Sequence, residues 1–512
     1  MSKVAKATMG LMLATMIAKV LGFGRELVLA SSYGTSMYSD AYLTAVNIPL
    51  VIFAILGSTL NAVFIPMYFN VNERLGEKSA LKFTNNIFNI VVAISIILAI
   101  LGMTFTEPLV KVFAMGFVGK TLEVTIEFTR VMMLGVVFTG LSYVMTSYLQ
   151  IKNNFAIPGL ISVPRNIITI ASIILSVKYG PNVMIWGTLL GVLSEYLFQL
   201  PFALKNGYKH QRYINFKDES IKKLIILIGP VLIGVAVNQV NMTVDRTLAS
   251  TLTEGSISAL NYANKLNSFI MALFITSISI VIYPKLSKLY SEKNMDEFIE
   301  PVYKCINAVI LLILPITVGA VVLATPIVKI LFERGAFDSR ATKMTAIALI
   351  MYSIGIIGIG LRDILGKVFY SLQDTRTPMI NGIIAMSMNM ILNIILIKHM
   401  KIAGIAFSTS LSSIVCVLLL FRSLKKKIGY YGQDKILSTT FKSSIAALVM
   451  GVVVYFTYNF LNGMPDVGFV NEVISLFGTI GIGAVVYSIM IIILKVEEIN
   501  MIKDILKSKS KK

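Results

Sequence analysis

A chain of 512 residues that is 56% hydrophobic and only 14% charged carries too much apolar side chain for a soluble domain. Its formal charge of +20 would suit a nucleic-acid binder, but the basic residues fall in alternate loops, where the positive-inside rule puts them in a membrane protein. No polar stretch is long enough to form a separate soluble domain.

The first apolar run, about residues 8–31, follows Lys3 and Lys6. It is too long for a secretory signal and no small-residue cleavage site follows it, so it is expected to remain as the first helix. Within it lies "AKVLGFGREL", residues 18–27, with Lys19, Arg25 and Glu26. A charge near the bilayer centre costs about 2.5–3.5 kcal/mol, so three are tolerable only against water or partners. At about 100° per residue, Lys19, Gly22, Arg25 and Glu26 share roughly one third of the helix circumference. Gly22 and Gly24 remove bulk beside them. A structural ion pair is one reading of this stripe; a hydrophilic site for a charged substrate is the other.

The next spans are expected at about 38–67 and 84–106, on either side of the polar "NERLGEKSALK", and then at about 123–150, 156–178 and 182–204. Asp40 opens the second. Arg165 and Glu195 lie in the fifth and sixth, where a mutual ion pair competes with any functional role. After the basic loop "LKNGYKHQRYINFKDES", spans are expected at about 220–249, 256–284, 301–324, 341–371, 378–398 and 403–423. Lys265 lies in the second of these, and Arg362, Asp363 and Lys367 cluster in the fourth. Two last spans, at about 437–461 and 470–494, precede the lysine-rich tail, read as a solvated anchor near anionic lipid. Loops such as "KLSKLYSEK" and "RSLKKKIG" are basic, whereas "SSYGTSMYSD", "STLTEGS" and "NGMPDVGFV" have almost no Lys or Arg, so both termini are expected in the cytoplasm.

Three short segments recur in order at an offset of about 220 residues. "TEPLVKVF" (106–113) matches "ATPIVKIL" (324–331), "FIPMY" (64–68) matches "IYPKL" (282–286), and "YLQIKNNFAIP" (148–158) matches "YSLQDTRTP" (370–378). The expected fold is therefore an all-α integral membrane protein of about fourteen transmembrane helices: two pseudo-symmetric six-helix lobes plus two C-terminal helices. The expected divisions are 1–210, 211–430, and 431–512 for the last two helices and the basic tail. Parallel repeats are a transporter architecture, with the substrate at the lobe interface. If the lobes face each other, Lys19 and Arg25 lie on one wall and Lys265 on the other, which suits an anionic group such as a diphosphate.

Enzyme signatures are missing: there is no phosphate-cradling Gly-rich loop, HExxH or nucleophile elbow. Cys305 and Cys416 fall in apolar runs and His210 and His399 are isolated, which argues against a disulfide framework or a metal cluster.

"AKVLGFGRELVLASSYGTSMYSDAYLTAVNIP", "TLASTLTEGSISALNYANKL", "LFERGAFDS" and "FYSLQDTRTP" resemble, in order, segments of the MurJ/MviN family of lipid II flippases, within the multidrug/oligosaccharidyl-lipid/polysaccharide exporter superfamily. The resemblance implies fourteen helices, two lobes, and a lipid-tail groove formed with the last two helices. It carries the family's essential cavity cations onto Lys19, Arg25 and Lys265, the following acid onto Glu26, and a further acid onto Asp40. Many members have paired arginines after the helix 2 proline; this chain reads "IPLVIFAI" there.

The implied function is translocation of lipid II, an undecaprenyl-diphosphate-linked peptidoglycan precursor, from the cytoplasmic to the outer leaflet of the bacterial plasma membrane by alternating access. The protein is expected to act as a monomer, alongside the peptidoglycan synthesis machinery and without nucleic acid. A flippase for another lipid-linked oligosaccharide and a multidrug exporter of the same superfamily are the alternatives. A membrane glycosyltransferase would need an acidic catalytic outer loop, and a non-transporting scaffold would not explain charges in both lobes.

One further set of residues suits a small alkali cation. Asn238, Asn241 and Asp245 share a face in the seventh span, Asn389 and Asn393 are one turn apart in the eleventh, and Thr409 follows Ile405 by one turn in the twelfth. A carboxylate, amide oxygens, a hydroxyl and a carbonyl make a hard-oxygen set. The resemblance adds that some relatives place sodium among these helices. The competing reading pairs Asp245 with Arg246 and makes the asparagines interhelical glue.

Overall fold

The computed structural model describes residues 3–462 and 468–498, and among them the regular elements are all helical. The terminal lysine run and residues 463–467 lie outside these residues. The chain divides into two compact units: Met1–Ser258 with Arg334–Phe337, and Ala259–Glu333 with Asp338–Lys512.

In the first unit, α1 (Lys3–Tyr33) is followed by α2 (Met37–Thr104), a 68-residue helical run interrupted only at Gly76, where φ is 79° and ψ 169°. Two spans were expected here. The break at Gly76 lies inside the polar "NERLGEKSALK", between the two expected spans, and the other residues of that segment are mostly good helix formers, so a helix runs up to the break and resumes directly after it. The short α3 (Thr106–Phe113) leads into α4 (Gly119–Ile151), and α5 (Ala156–Leu160), α6 (Ser162–Tyr179), α7 (Asn182–Lys205) and α8 (Glu219–Ala249) follow. Phe64, Phe83, Tyr148, Leu149 and Tyr208 belong to one buried cluster of this unit.

The compact division of the chain falls after Ser258, not in the 205–222 loop. The physical reason is that α8 is fastened to the first unit. Arg246 donates to the Leu43 carbonyl (3.1 Å), Thr247 to the Val112 carbonyl (2.9 Å), and the Gly116 N–H to Ser250 Oγ (3.0 Å). Residues 334–337 are held by the Ala336 N–H bonding the Ser31 carbonyl at 2.8 Å. Gly335 has φ +59°, and a Cβ there would lie 2.3 Å from Ser31 O, so the "RGAF" segment can seat only with glycine.

In the second unit, α9 (Ser256–Ser291) starts at the division and α10 (Met295–Val322) leads to the short α11 (Ala324–Phe332). The pair α12 (Ser339–Ile354) and α13 (Ile356–Ser371) is bent by 42°, and α14 (Arg376–Met400), α15 (Ile402–Ile428), α16 (Gln433–Asn462) and α17 (Phe469–Ile493) complete it. Phe298, Ile306, Ile364 and Phe369 anchor its core.

Among the described residues nine helices are long and apolar enough to cross a membrane, or ten with α12–α13 as one span. The other four of the fourteen expected spans fall on α1, the start of α2, α8 and α9. Their side chains are only partly described, and α1 carries the charge stripe.

The internal repeat has a structural counterpart. α3 and α11, the two "PxVK"-type segments, are both short helices entered through a similar kink, at Phe105 (φ −101°, ψ 30°) and Leu323 (φ −100°, ψ 16°). "IKNNF" and "LQDTR" turn alike, with Asn153 at φ 59° and Gln373 at φ 56°. The following N–H, of Asn154 or Asp374, bonds a carbonyl five residues back at 2.9 Å in each.

At the second of these turns Asp374 accepts from Lys427 Nζ (2.6 Å), the Thr377 N–H (2.9 Å) and the Thr377 hydroxyl (2.8 Å). Partial burial opposes its charge, but these bonds outweigh it and hold the carboxyl down to about 2. Its stabilising effect is present above the ordinary carboxylate range and is lost as pH falls toward 2. Asp374→Ala is expected to cost about 1 kcal/mol at neutral pH, and thermal melts of variant and parent should converge near pH 2.

Candidate functional site: a cationic cavity on the first helix

The stripe read from α1 opens onto a cavity of about 620 Å³ in the first unit. Lys19, Gly22 and Arg25 line one side; Gln150 of α4, Ser162, Arg165 and Asn166 of α6, and Glu195 of α7 line the rest. Gly22 lies against the cavity near Asn166, whereas a Cβ on Gly24 would meet nothing within 4 Å. Two residues on is more than half a turn of helix away, so only Gly22 thins the wall.

Arg25 donates from Nη2 to Glu26 Oε1 at 2.7 Å and from Nη1 to Asn166 Oδ1 at 3.3 Å. Glu26 is buried to 2% exposure, behind the lining rather than in it. Arg165 pairs with Glu195 at 3.2 Å, the structural pairing weighed for these two residues. Lys19 is exposed to the cavity and makes no ion pair among the described residues. The lining thus carries three cations and one carboxylate, an arrangement that attracts an anionic group. Asn166 and Gln150 gave no signal in sequence; only the packing of α6 and α4 against α1 makes them part of the site.

Asp40 is placed differently from the expectation. It is buried and does not line the cavity; Oδ2 accepts the Gly255 N–H and Oδ1 the Ser258 N–H, both at 2.8 Å. It closes the first turn of α9, where unsatisfied N–H groups and the helix dipole favour a carboxylate. Glu254 returns the arrangement, accepting the Met37 N–H at the start of α2 at 2.7 Å.

Lys265 lies on α9 in the second unit, exposed, and is not part of the lining of the α1 cavity. Of the cation set, Asn389, Asn393, Ile405 and Thr409 come together in the second unit. Asn393 Nδ2 donates to Asn389 Oδ1 (3.3 Å), Asn389 Nδ2 to Thr409 Oγ1 (3.4 Å), and Thr409 to the Ile405 carbonyl (3.2 Å). Asp245 is on α8, in the first unit, and the side chain of Asn238 lies outside the described residues. Both cysteines are buried and free.

A chain of apolar helices with a hydrophilic, charge-bearing cavity set among them is a multi-pass membrane transporter. The profile of the family described as "Lipid II flippase MurJ" matches residues 29–475, and the chain belongs to this family. It is 28% identical over 502 residues to a probable lipid II flippase MurJ of Buchnera aphidicola subsp. Acyrthosiphon pisum, covering 97% of this chain and 98% of that one. It is similar to a solved lipid II flippase MurJ in an inward closed conformation, with TM-score 0.82 and 28% identity, over 96% of this chain and 99% of that chain. An inward-facing multidrug resistance MATE transporter of the MOP superfamily shares the fold, at TM-score 0.68 and 13% identity, over 81% of this chain and 98% of that one.

Proposed function

We propose that this chain moves lipid II from the cytoplasmic to the outer leaflet of the bacterial plasma membrane by alternating access. The observation that carries the reading is the cavity of α1, with Lys19 and Arg25 facing it, in a chain that matches the flippase family over residues 29–475. A diphosphate-sugar head group cannot cross hydrocarbon bare, because its charged and polar groups would lose their hydration. A cavity offering ammonium and guanidinium donors replaces that hydration with charge-assisted bonds. The polyprenyl tail stays in lipid. Asp40 acts on this cycle through the helix ends it joins. The monomer is the working unit, serving the peptidoglycan synthesis machinery. Expression in cells depleted of their lipid II flippase tests the reading: growth and outer-leaflet lipid II should be restored. Failure at normal membrane levels would overturn it, and rescue only of a strain lacking another oligosaccharide-lipid flippase would reassign the substrate.

Loop charge supports cytoplasmic termini. Single cysteines at Lys78 and Lys426 are expected to be shielded from impermeant thiol reagents in intact cells, and one at Ser36 to react. The reverse pattern would invert the orientation.

Sodium is the coupling ion in this reading. Asn389, Asn393, Thr409 and the Ile405 carbonyl of the second unit offer neutral hard oxygens, which suit an alkali cation. Asn393 and Asn389 are both buried, at 0% and 2% exposure, so the oxygens are screened from bulk water. Replacing sodium by choline at fixed membrane potential is expected to slow transport and to change a conformation-sensitive cysteine cross-link. Asn393→Ala should remove both differences. Equal behaviour in the two media with a fully active variant would leave the ion no role.

A further inference from the structure

The second unit has its own polar cavity, about 430 Å³, between α9 and α13. Asn264, Asn267 and Ser268 face it from α9, and Arg362 and Asp363 from α13, over an apolar floor that includes Ile275 and Ile359. The two charges are adjacent in sequence and do not pair with each other among the described residues. Asp363 Oδ2 accepts from Ser279 Oγ at 2.7 Å, and Arg362 has no hydrogen bond or ion pair among the described residues. Asn267 is only 5% exposed, yet its Oδ1 has no hydrogen-bond partner among the described residues.

Within a membrane helix such groups are costly unless water or a ligand meets them, and a buried amide oxygen without a donor costs further. Asp363 disfavours a purely anionic ligand and Arg362 a bare cation. A neutral sugar would use neither charge. A ligand with both a carboxylate and an amine, joined by amide bonds, meets all of these groups at once: the carboxylate on Arg362, the amine on Asp363, and amide N–H on Asn267.

We propose that this cavity binds the peptide portion of the lipid-linked head group. The proposal rests on the lipid II reading and adds to it a peptide subsite in the second unit.

The test uses the full chain in nanodiscs and two probes: undecaprenyl-diphosphate disaccharide with its pentapeptide, and the same lipid without peptide. Arg362→Gln and Asp363→Asn are each expected to weaken binding of the peptide-bearing lipid about tenfold, the effect of losing one charge-assisted bond. Binding of the peptide-free lipid should be unchanged, which also reports that the variants are folded. Equal weakening for both probes, or none for either, would overturn the subsite while leaving the flippase reading intact. Parent protein that binds neither probe would overturn both. A third probe, with the peptide carboxylates methyl-esterified, reads the same contact on the unaltered protein. Its binding should be about tenfold weaker and indifferent to Arg362→Gln; esterification without effect would overturn the assignment to Arg362.

Discussion

Arg25→Ala is expected to abolish flipping and also to destabilise the protein, whereas Lys19→Ala should abolish flipping alone. The two cations line one cavity but are held differently. Arg25 is bonded to Glu26 at 2.7 Å and to Asn166 at 3.3 Å, and Glu26 is 2% exposed. Removing the guanidinium leaves a buried carboxylate without this partner, a loss of about 3–5 kcal/mol for a broken buried pair. Lys19 has no ion pair among the described residues to lose, so its ammonium is available to an anionic ligand. Arg25→Lys keeps the charge but not the fork that reaches two partners, and should fall between parent and alanine in both respects. Adding Glu26→Gln to Arg25→Ala should recover much of the stability without recovering transport. Thermal melting of purified protein and complementation at native expression separate the two effects. Full complementation by Lys19→Ala would remove it from the substrate path, and an unchanged melting temperature in Arg25→Ala would show that the Glu26 pair contributes little.

The α1 stripe was legible because helical period alone puts Lys19, Gly22 and Arg25 on one side, whatever that side faces. Its counterparts were not. Asn166 and Gln150 carry no local pattern, and they reach the cavity only because α6 and α4 pack against α1, a relation set by contacts more than 100 residues apart in sequence. The repeat was legible for a related reason. "TEPLVKVF" and "ATPIVKIL" make the same short helix after the same kink, so like sequence met like backbone demand. At "NERLGEKSALK" polarity marked the division between two spans, and the backbone breaks there at Gly76, where φ is 79°. Arg362 and Asp363 were visible as intramembrane charges, but nothing in the sequence tells that Asn267, on α9 with α10, α11 and α12 in between, shares a cavity with them.

Asp40 shows the same limit from the other side, and its replacement is expected to have the second large effect. An acid at the head of α2 reads as a cavity charge, yet both carboxylate oxygens are taken by backbone N–H groups of Gly255 and Ser258, each at 2.8 Å. Glu254 meanwhile closes the start of α2 through the Met37 N–H at 2.7 Å, so each helix end is capped by a carboxylate from beside the other. Hydrogen bonds to a charged group contribute about 1.5–3 kcal/mol each, and burial leaves little water to replace them. Asp40→Asn keeps the size but offers one acceptor, and turns an NH2 donor toward an N–H. Asp40→Ala removes both acceptors. Both variants are expected to insert normally, to lose most transport, and to open the α2–α9 clasp. A cysteine at Ser36, the residue before α2, should then react with an impermeant thiol reagent at least about ten times faster than in the parent, the ratio for a loss of about 1.4 kcal/mol or more. Asp40→Glu reaches the same donors with an added methylene and should be intermediate. If Asp40→Asn transports normally and the Ser36 cysteine reacts at the parental rate, the clasp does not control the cycle; if transport is lost with no change in reactivity, Asp40 acts on the substrate path and not through the helix ends.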